Sequence, residues 1–304
     1  MRALFSTPGG ARSIEVREVE EPRAAPNEAV IAVAAASLNR GELSLLPSRP
    51  GWRPGQDVAG TVIAPAADGS GPPPGARVTA VVDQAGWAEQ VAAPTHRVAV
   101  LPDGVRFSDA ATLGVAGLTA LRGLRVGGSL LGAHVLVTGA SGGVGHFAVQ
   151  LAHVAGAHVT AVVGRPERAE RLRKLGADRV VLETEELERQ FDLVMEGVGG
   201  PSLERSLHAL NPDGVVVLYG RASEQPGRVA LADFGGRPAR IQAFFIYQTG
   251  VETFGADLTF LARLLATGQL KAVVGLEVSW HDLDSALSAL RDREVDGKVV
   301  LRIN

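Results

Sequence analysis

The sequence predicts an α/β protein in which a doubly wound parallel sheet accompanies a β-rich domain. Three observations favour this fold class. From about residue 134 to residue 219 apolar strand-like runs alternate with helical patterns, as βαβ units and a parallel sheet require. Short runs bounded by Pro, Gly and Asp fill the first hundred residues, which is typical of short strands. A glycine-rich turn, Gly139–Gly145, joins a strand directly to a helix.

The composition and charge of the chain exclude several classes of function. The 304 residues suffice for two domains, and 46% hydrophobic with 21% charged residues is ordinary for a globular protein. A net charge of −3 gives no basic footprint for nucleic acid. We find neither a run of about 18 apolar residues nor the apolar core of a signal peptide, so we expect no membrane span and a cytoplasmic location. The chain has no cysteine, which excludes disulfides, thiol catalysis and thiolate-bound zinc.

The first part of the chain is expected to be mainly β-structure. We predict a surface loop at Pro65–Gly75, where the residues are Pro, Gly, Ala, Ser and Asp. The Ala/Leu-rich segment Ser108–Arg125 predicts a helix with Ser108 as its N-cap. The predicted strands of this part are Ala29–Ala35, Ala59–Ile63, Arg77–Val82 and Arg97–Leu101.

The alternating part and the tail complete the prediction. The expected strands of the parallel sheet are His134–Thr138, His158–Val163, Arg179–Leu182, Phe191–Met195, Gly214–Tyr219 and, as one further candidate, Arg240–Ile246. The helices expected between them are Gly145–Ala155, Pro166–Leu175 and Ser202–Leu210. In the tail we predict helices at Thr253–Thr267 and Leu283–Asp292 and strands at Val273–Val278 and Lys298–Ile303.

The glycine-rich turn is the most informative segment. A bound pyrophosphate needs backbone N–H groups close by and a helix N-terminus aimed at it, and side chains would block that approach. Gly145 would let the helix pack tightly on the strand. A second strand follows at the spacing that dinucleotide-binding units show. We therefore predict cofactor contacts at Ala140, Ser141, Gly142, Gly143 and Val144.

The same turn also matches a motif of a different enzyme class. Gly139 to Gly143 also satisfies G-x-S-x-G, the nucleophile elbow of α/β-hydrolases, with Ser141 as nucleophile. Asp192 and His281 are candidates for the remaining triad members. Against this alternative, no HGGG-type oxyanion segment lies upstream, and an elbow leaves Gly145 unexplained.

The end of the second strand indicates which dinucleotide binds. Enzymes that use NAD place an Asp or Glu there to bind the ribose hydroxyls. Here the position is Gly164, and Arg165 and Arg168 follow. The 2′-phosphate of NADP(H) prefers guanidinium donors over a carboxylate. We therefore predict NADPH as the cofactor, bound in part by these three residues.

Several further segments are informative together with the glycine turn. They are SLNRGEL at Ser37–Leu43, PGQDVAGTV at Pro54–Val62, ATLGVAGLTAL at Ala111–Leu121, FDLVMEGVGG at Phe191–Gly200 and DGKVVL at Asp296–Leu301. With these segments the chain resembles the medium-chain dehydrogenase/reductase superfamily and, within it, the zinc-free quinone oxidoreductase group. The resemblance implies an NADP(H)-binding Rossmann domain at residues 113–248 and a GroES-like catalytic domain at residues 1–112 and 249–304.

The resemblance also bears on metals. Zinc-dependent members carry a Cys after the second strand and a His-Glu pair before the A-G-x-V segment. The corresponding positions here are Leu38-Asn39 and Gln56-Asp57, and the seven histidines lie singly in unrelated contexts. We therefore expect no metal.

Roles for individual residues follow from the same resemblance. Asn39 matches a pocket residue near the nicotinamide, with a turn Asn as the alternative. Lys298 is a weaker match, and a solvated lysine is an equal alternative. Thr119 matches a residue near the nicotinamide, with a buried helix Thr as the alternative. Phe244 and Phe245 match a segment that lies beside the nicotinamide and pairs across a homodimer, with an apolar core strand as the alternative. Two further matches are Val198 in a cofactor loop, and Tyr219 with Gly220 at the end of the fifth strand.

The implied reaction is hydride transfer from NADPH to a small-molecule acceptor, either a quinone or an α,β-unsaturated carbonyl (enone or enoyl) compound. Asn39 is a candidate donor to the acceptor oxygen, and Tyr247 and Glu42 are candidate proton donors. The alternative within the family is a member that binds NADPH without general reductase activity, as a sensor or in one biosynthetic step.

Overall fold

The structure is a computed structural model that describes residues 1–7, 14–188 and 190–303. It consists of two compact units. Unit 1 comprises Met1–Leu118 and Gly250–Asn304, and unit 2 comprises Thr119–Thr249.

Fifteen strands are present in the described residues. In chain order they are β1 Arg2–Ser6, β2 Ile14–Glu18, β3 Glu28–Leu38, β4 Asp57–Ala64, β5 Arg77–Val81, β6 Gln90–Pro94, β7 Val98–Val100, β8 His134–Val137, β9 His158–Val163, β10 Arg179–Leu182, β11 Phe191–Glu196, β12 Leu210–Leu218, β13 Arg240–Ala243, β14 Val274–Ser279 and β15 Lys298–Arg302.

Eight α-helices accompany these strands in the same ranges. They are α1 Arg40–Leu45, α2 Phe107–Ala111, α3 Leu118–Arg125, α4 Gly145–Val154, α5 Ala169–Lys174, α6 Pro201–His208, α7 Phe254–Ala266 and α8 Leu283–Arg291. No helix in the described part of the chain is long and apolar enough to cross a membrane.

Unit 1 is built around a largely antiparallel sheet of order β14-β15-β3-β4-β5-β7, with β6 paired to β3. Only β14 and β15 run parallel. Burial alternates along the first part of β3, and its last four residues are all buried. The core on which β3 packs includes Trp87 and Trp280, both about 1% exposed. The sequence prediction missed the hairpin β1–β2, strand β6 and helix α1, because each is short and lacks a clear apolar period.

The segment predicted as one helix from Ser108 to Arg125 is broken into three parts. Helix α2 begins at Phe107 with Arg106 as its N-cap, so the assignment of Ser108 as N-cap was wrong. A π-helical turn follows at Leu113–Gly117, in which Gly114 leaves helical geometry at ψ −112°. The break has a tertiary cause, because the N–H of Val115 donates to the carboxylate of Asp57, 2.7 Å away.

Unit 2 contains a six-stranded, wholly parallel sheet of order β10-β9-β8-β11-β12-β13. Counted from β8, this is the strand order 3-2-1-4-5-6 of the Rossmann fold. The predicted doubly wound parallel sheet is therefore confirmed, and β9 and β10 have the expected bounds. Strand β13 ends at Ala243 instead of Ile246; Phe244 is buried beyond it and Phe245 is 70% exposed.

Candidate functional site

The turn between β8 and α4 has the geometry of a phosphate cradle. Gly139 adopts a φ of +56°, a conformation that a side chain disfavours. A Cβ on Gly145 would lie 2.5 Å from the carbonyl oxygen of Gly139 and 2.6 Å from Cα of Ala140. Helix α4 can therefore begin directly against the turn only because residue 145 is glycine. This close approach of a helix N-terminus fits a pyrophosphate.

The order of the strands brings other predicted residues to this turn. Strands β8 and β11 are neighbours, although the chain between them forms two further strands, so their ends lie at the topological switch point where doubly wound sheets bind ligands. The hydroxyl of Thr138 accepts a hydrogen bond from the N–H of Gly197 at 3.0 Å. Val198 packs on Gly139, with Cγ2 at 3.2 Å from the position of a Cβ there.

Tyr219 and Gly220 follow β12 and lie against the same loop. A Cβ on Gly197 would be 2.4 Å from the Tyr219 hydroxyl, and a Cβ on Gly220 would be 2.7 Å from the Gly197 carbonyl oxygen. Burial, with the negative charge of Glu196 as a second cause, raises the pKa of Tyr219 above its ordinary value. The structure thus brings together Val198, Tyr219 and Gly220 with the glycine turn.

Glu196 organises this loop and was missed by the sequence analysis. Its side chain is fully buried at the end of β11. One carboxylate oxygen accepts the N–H groups of Val198 at 2.7 Å and Gly199 at 2.8 Å. The other accepts the hydroxyls of Ser202 at 3.0 Å and Ser206 at 2.9 Å. An acidic residue at the end of an apolar strand was the available signal, since a buried charge needs such partners.

The predicted 2′-phosphate residues lie after β9. The guanidinium of Arg168 donates to the hydroxyl of Ser141 at 3.2 Å, which joins this segment to the glycine turn. Gly164 and Arg165 are exposed. Position 164 carries no acid, but the carboxyl carbon of Glu183 lies 3.5 Å from where a Cβ on Gly164 would be. The residue that follows β10 therefore supplies an acid beside this position.

The hydrolase interpretation of Ser141 is wrong. Asp192 lies at the start of β11, where it accepts the N–H of His134 at 2.8 Å and the side-chain amide of Asn211 at 2.8 Å. Ser141 lies beyond the end of β8. Since β8 and β11 are parallel, the two side chains are at opposite edges of the sheet. No Ser141–Asp192 relay is possible in this arrangement.

Unit 1 contains a second polar centre, formed by Asn39, Asp57 and Lys298. The ammonium of Lys298 donates to the side-chain oxygen of Asn39 at 2.6 Å and to the carbonyl oxygen of Leu38 at 2.8 Å. It lies 3.4 Å from the carboxylate of Asp57. Asn39 in turn donates from its amide nitrogen to Asp57 at 2.8 Å. The Lys298 side chain is only 3% exposed, so the interpretation as a solvated lysine was wrong.

Asp57 has a full set of partners. Its Oδ2 also accepts the hydroxyl of Ser37 at 2.9 Å, and its Oδ1 accepts the N–H of Val115 at 2.7 Å. A Cβ on Gly114 would lie 2.2 Å from Oδ1, so the π-helical turn depends on glycine at this position. The carboxylate is completely buried and its charge is balanced by Lys298.

Glu42 lies beneath Asn39, on the first turn of α1. Its two carboxylate oxygens accept the backbone N–H groups of Asn39 at 2.8 Å and Gly55 at 3.1 Å. Burial raises the pKa of Glu42 to about 8, the N–H of Asn39 opposes that shift, and the charge of Asp57 adds to it. Burial also lowers the pKa of Lys298, against the opposing effect of Asp57 and Glu42. Asn39 is the partly exposed member of this centre.

The donor set of this centre differs from the usual donor set of a zinc site. Zinc takes about four donors of thiolate, imidazole or carboxylate type. Among the described residues no group of three or more His, Cys, Asp or Glu side chains is placed to hold a metal. At the centre of unit 1 the ammonium of Lys298 stands against Asp57, where a cation would have to compete with it.

The remaining predicted site residues lie in α3 and in the segment after β13. Thr119 is buried in the first turn of α3. Tyr247 is partly exposed in a 3-10 turn, Ile246–Gln248, after β13. Phe244 is buried and does not continue the strand, and Phe245 is exposed, so the alternative of an apolar core strand across both residues was wrong.

Comparisons with known proteins agree with this description. Residues 143–263 match the family model described as zinc-binding dehydrogenase. The chain is 29% identical to a chloroplast envelope quinone oxidoreductase homolog of Arabidopsis thaliana, over 96% of this chain and 95% of that protein. It is 29% identical to 2-methylene-furan-3-one reductase of Solanum lycopersicum, over 95% of this chain and 76% of that protein.

A solved structure shows the same fold. The yhdH oxidoreductase from Salmonella enterica in complex with NADP superposes with a TM-score of 0.81 at 26% identity, and the alignment covers all of both chains. The parallel sheet, its glycine turn and these likenesses confirm the resemblance noted in the sequence. By these likenesses the chain is similar to the quinone oxidoreductase-like group of the medium-chain dehydrogenase/reductase superfamily.

Proposed function

We propose that this protein is a metal-independent, NADPH-dependent reductase of quinones or α,β-unsaturated carbonyl compounds. The observation that carries the proposal is the glycine turn at the switch point of the parallel sheet, with Arg168 hydrogen-bonded to Ser141. The names of the relatives, a quinone oxidoreductase homolog and a furanone reductase, support the acceptor class. The NADP in the Salmonella structure supports the cofactor.

Unit 2 would hold the cofactor. The backbone of the turn, Ala140 to Val144, would face the pyrophosphate, because the glycines leave it open and α4 begins there. Arg168 and Arg165 would pair with the 2′-phosphate, since guanidinium groups bind phosphate through charge-assisted hydrogen bonds. The loop held by Glu196, with Val198 at its tip, would contact the nicotinamide half. When bound, NADPH supplies the hydride.

Unit 1 would bind the acceptor. An acceptor carbonyl gains negative charge during reduction and needs a hydrogen-bond donor at its oxygen. Asn39 fits this role because it is partly exposed and its amide nitrogen carries two hydrogens, of which Asp57 takes one. Glu42 fits a direct proton donor poorly, since its side chain is 1% exposed and both oxygens accept backbone N–H groups. Tyr247 stays a candidate proton donor for enone substrates.

Metal independence is part of the proposal. Zinc in this superfamily's metal-dependent members polarises the substrate oxygen, and here a buried ammonium already balances the acidic side chain at that place. The cysteine-free sequence removes thiolate ligands altogether.

We further propose a cytoplasmic homodimer that pairs through the edge of the parallel sheet. Strand β13 is the last strand of that sheet, and all four of its residues are exposed. Ile241 is 37% exposed and Phe245 is 70% exposed beside it. An uncovered edge with apolar side chains favours pairing with another strand.

An acceptor screen tests the enzymatic proposal. Purified protein is mixed with NADPH or NADH, and absorbance of the reduced nicotinamide is followed with a panel of quinones, enones and enoyl thioesters. Turnover with NADPH that persists after dialysis against a chelator supports the proposal. Tight NADPH binding without turnover across the panel would favour the non-catalytic alternative instead, and absence of NADPH binding would contradict both.

A further inference from the structure

The orientation of the Asn39 side chain is fixed by chemistry and not only by shape. An ammonium group can only donate hydrogen bonds, and an ionised carboxylate can only accept them. Lys298 lies 2.6 Å from one end of the Asn39 amide, and Asp57 lies 2.8 Å from the other. The end facing Lys298 must therefore be the oxygen and the end facing Asp57 the nitrogen. Reversing the amide would place donor against donor and acceptor against acceptor.

We propose that Lys298 is a positioning residue that fixes the Asn39 amide so that its second N–H binds the oxygen of the acceptor. This inference rests on the proposed reductase function and deepens it. Lys298 itself is only 3% exposed, and its three donors have partners in Asn39, Leu38 and Asp57. It acts through Asn39 and does not itself contact substrate.

The contact with Lys298 also makes Asn39 a better donor. The positive charge of the Lys298 ammonium beside the amide oxygen draws electron density from the amide nitrogen. Linked hydrogen bonds also strengthen one another in surroundings of low dielectric constant. The backbone of Asn39 is held as well, because its N–H donates to Glu42. Asn39 therefore presents a prepared donor, and a donor that needs no reorganisation is the kind that stabilises a developing negative charge.

A double-mutant cycle tests the proposal. The variants are K298M, N39A and K298M/N39A, with K174M as a matched control because Lys174 is a surface lysine whose side chain is 73% exposed. We expect K298M to lower kcat/KM for the acceptor about tenfold or more, the scale of one lost transition-state hydrogen bond, and to leave the Kd of NADPH unchanged. In the double variant the loss should equal that of N39A alone. Additive losses, or a folded K298M with unchanged kcat/KM, would overturn the proposal.

Folding and function are separated by two further measurements. If K298M does not fold, the comparison is made between D57N and D57N/K298M, because D57N removes the carboxylate charge that K298M leaves unpaired. The proposal then requires a lower kcat/KM in D57N/K298M than in D57N. The side-chain amide NMR signals of Asn39, assigned by their loss in N39D, give a readout that needs no turnover. Amide proton shifts displaced from ordinary Asn values in the wild type, which return towards those values in K298M, support the fixed amide even if the wild type reduces no acceptor, whereas identical signals in both proteins refute it.

Discussion

The guanidinium of Arg168 hydrogen-bonds the hydroxyl of Ser141 at 3.2 Å and so links the segment after β9 to the glycine turn after β8. Both residues were assigned to the cofactor from sequence, each for its own reason. Their contact places Arg168, the residue proposed to bind the 2′-phosphate, beside the turn proposed to bind the pyrophosphate.

Removing Arg168 should change cofactor choice. We expect R168A to weaken NADPH binding by about 1.5–3 kcal/mol, the range of a charged hydrogen bond, and to affect NADH much less. Fluorescence titration of both cofactors measures this, with R165A beside it and R173A as a control from an exposed position on the next helix. Equal weakening of the two cofactors by R168A would contradict the assignment.

Glu183 should oppose the selectivity for NADPH. Its carboxyl carbon lies 3.5 Å from the Cβ position of Gly164, where a negative charge repels a 2′-phosphate or binds ribose hydroxyls. We therefore expect E183Q to raise the ratio of kcat/KM for NADPH to that for NADH several-fold, by lowering KM for NADPH. The neighbouring E185Q serves as a control for net charge. A lower ratio in E183Q would mean that the carboxylate helps to bind NADPH.

Gly145 should tolerate no side chain. In G145A the new Cβ would meet the backbone of Gly139 and Ala140 at about 2.5 Å, so the turn or α4 must shift. Overpacking of this kind costs about 1–3 kcal/mol of stability, and we expect a lower Tm together with weaker NADPH binding. In G41A, by contrast, the Cβ meets nothing within 4 Å, and its Tm should not fall. A G145A protein with unchanged cofactor affinity would refute the role of the turn.

Glu42 should make unfolding pH-dependent. Its pKa rises from an ordinary 4.5 to about 8 in the folded protein, so between these values the folded state binds more protons than the unfolded state. Its contribution to stability is therefore largest below pH 4.5, declines by up to about 1.4 kcal/mol per pH unit as the pH rises, and is constant above pH 8.

Comparing the wild type with E42Q isolates the contribution of the Glu42 carboxyl to the pH dependence of stability. Urea unfolding at pH 5 to 8.5 should show the stability difference, wild type minus E42Q, falling as the pH rises. E42Q also loses one of the two acceptors used by Asn39 and Gly55, which shifts the whole curve but not its slope. Parallel curves for the two proteins would show that Glu42 does not titrate in this range.

The exposed edge of the parallel sheet should control the oligomeric state. If the proposed homodimer forms, we expect the double change I241E/F245E to yield a monomer, because like charges and lost apolar area would disfavour pairing of β13 with its copy. Sedimentation measures the mass, and V100E, at a 53% exposed position in unit 1, serves as a control. A wild type that is monomeric, or an unaffected dimer, would contradict the proposed interface.

Local patterns in the sequence were enough for much of unit 2. The alternation of apolar strands and helices and the spacing of Gly139, Gly142 and Gly145 predicted the sheet and its cofactor turn, because hydrophobic period and glycine steric freedom are properties of neighbouring residues. Gly164, Arg165 and Arg168 also led to the prediction of NADPH, and their contacts with it stay a prediction. Glu183 could not be foreseen, since it reaches Gly164 from the segment after another strand.

The polar centre of unit 1 needed the tertiary structure. Lys298 and Asn39 are separated by 259 positions, and neither residue by itself distinguishes a surface side chain from a buried ion pair. The same holds for the break after α2, which arises because Asp57 captures the N–H of Val115. Sequence alone determined most strands and helices of unit 2 and the position of its glycine turn. Only the fold decided which charges are buried together, because the cost of burying a charge is offset by partners that the chain brings from far away.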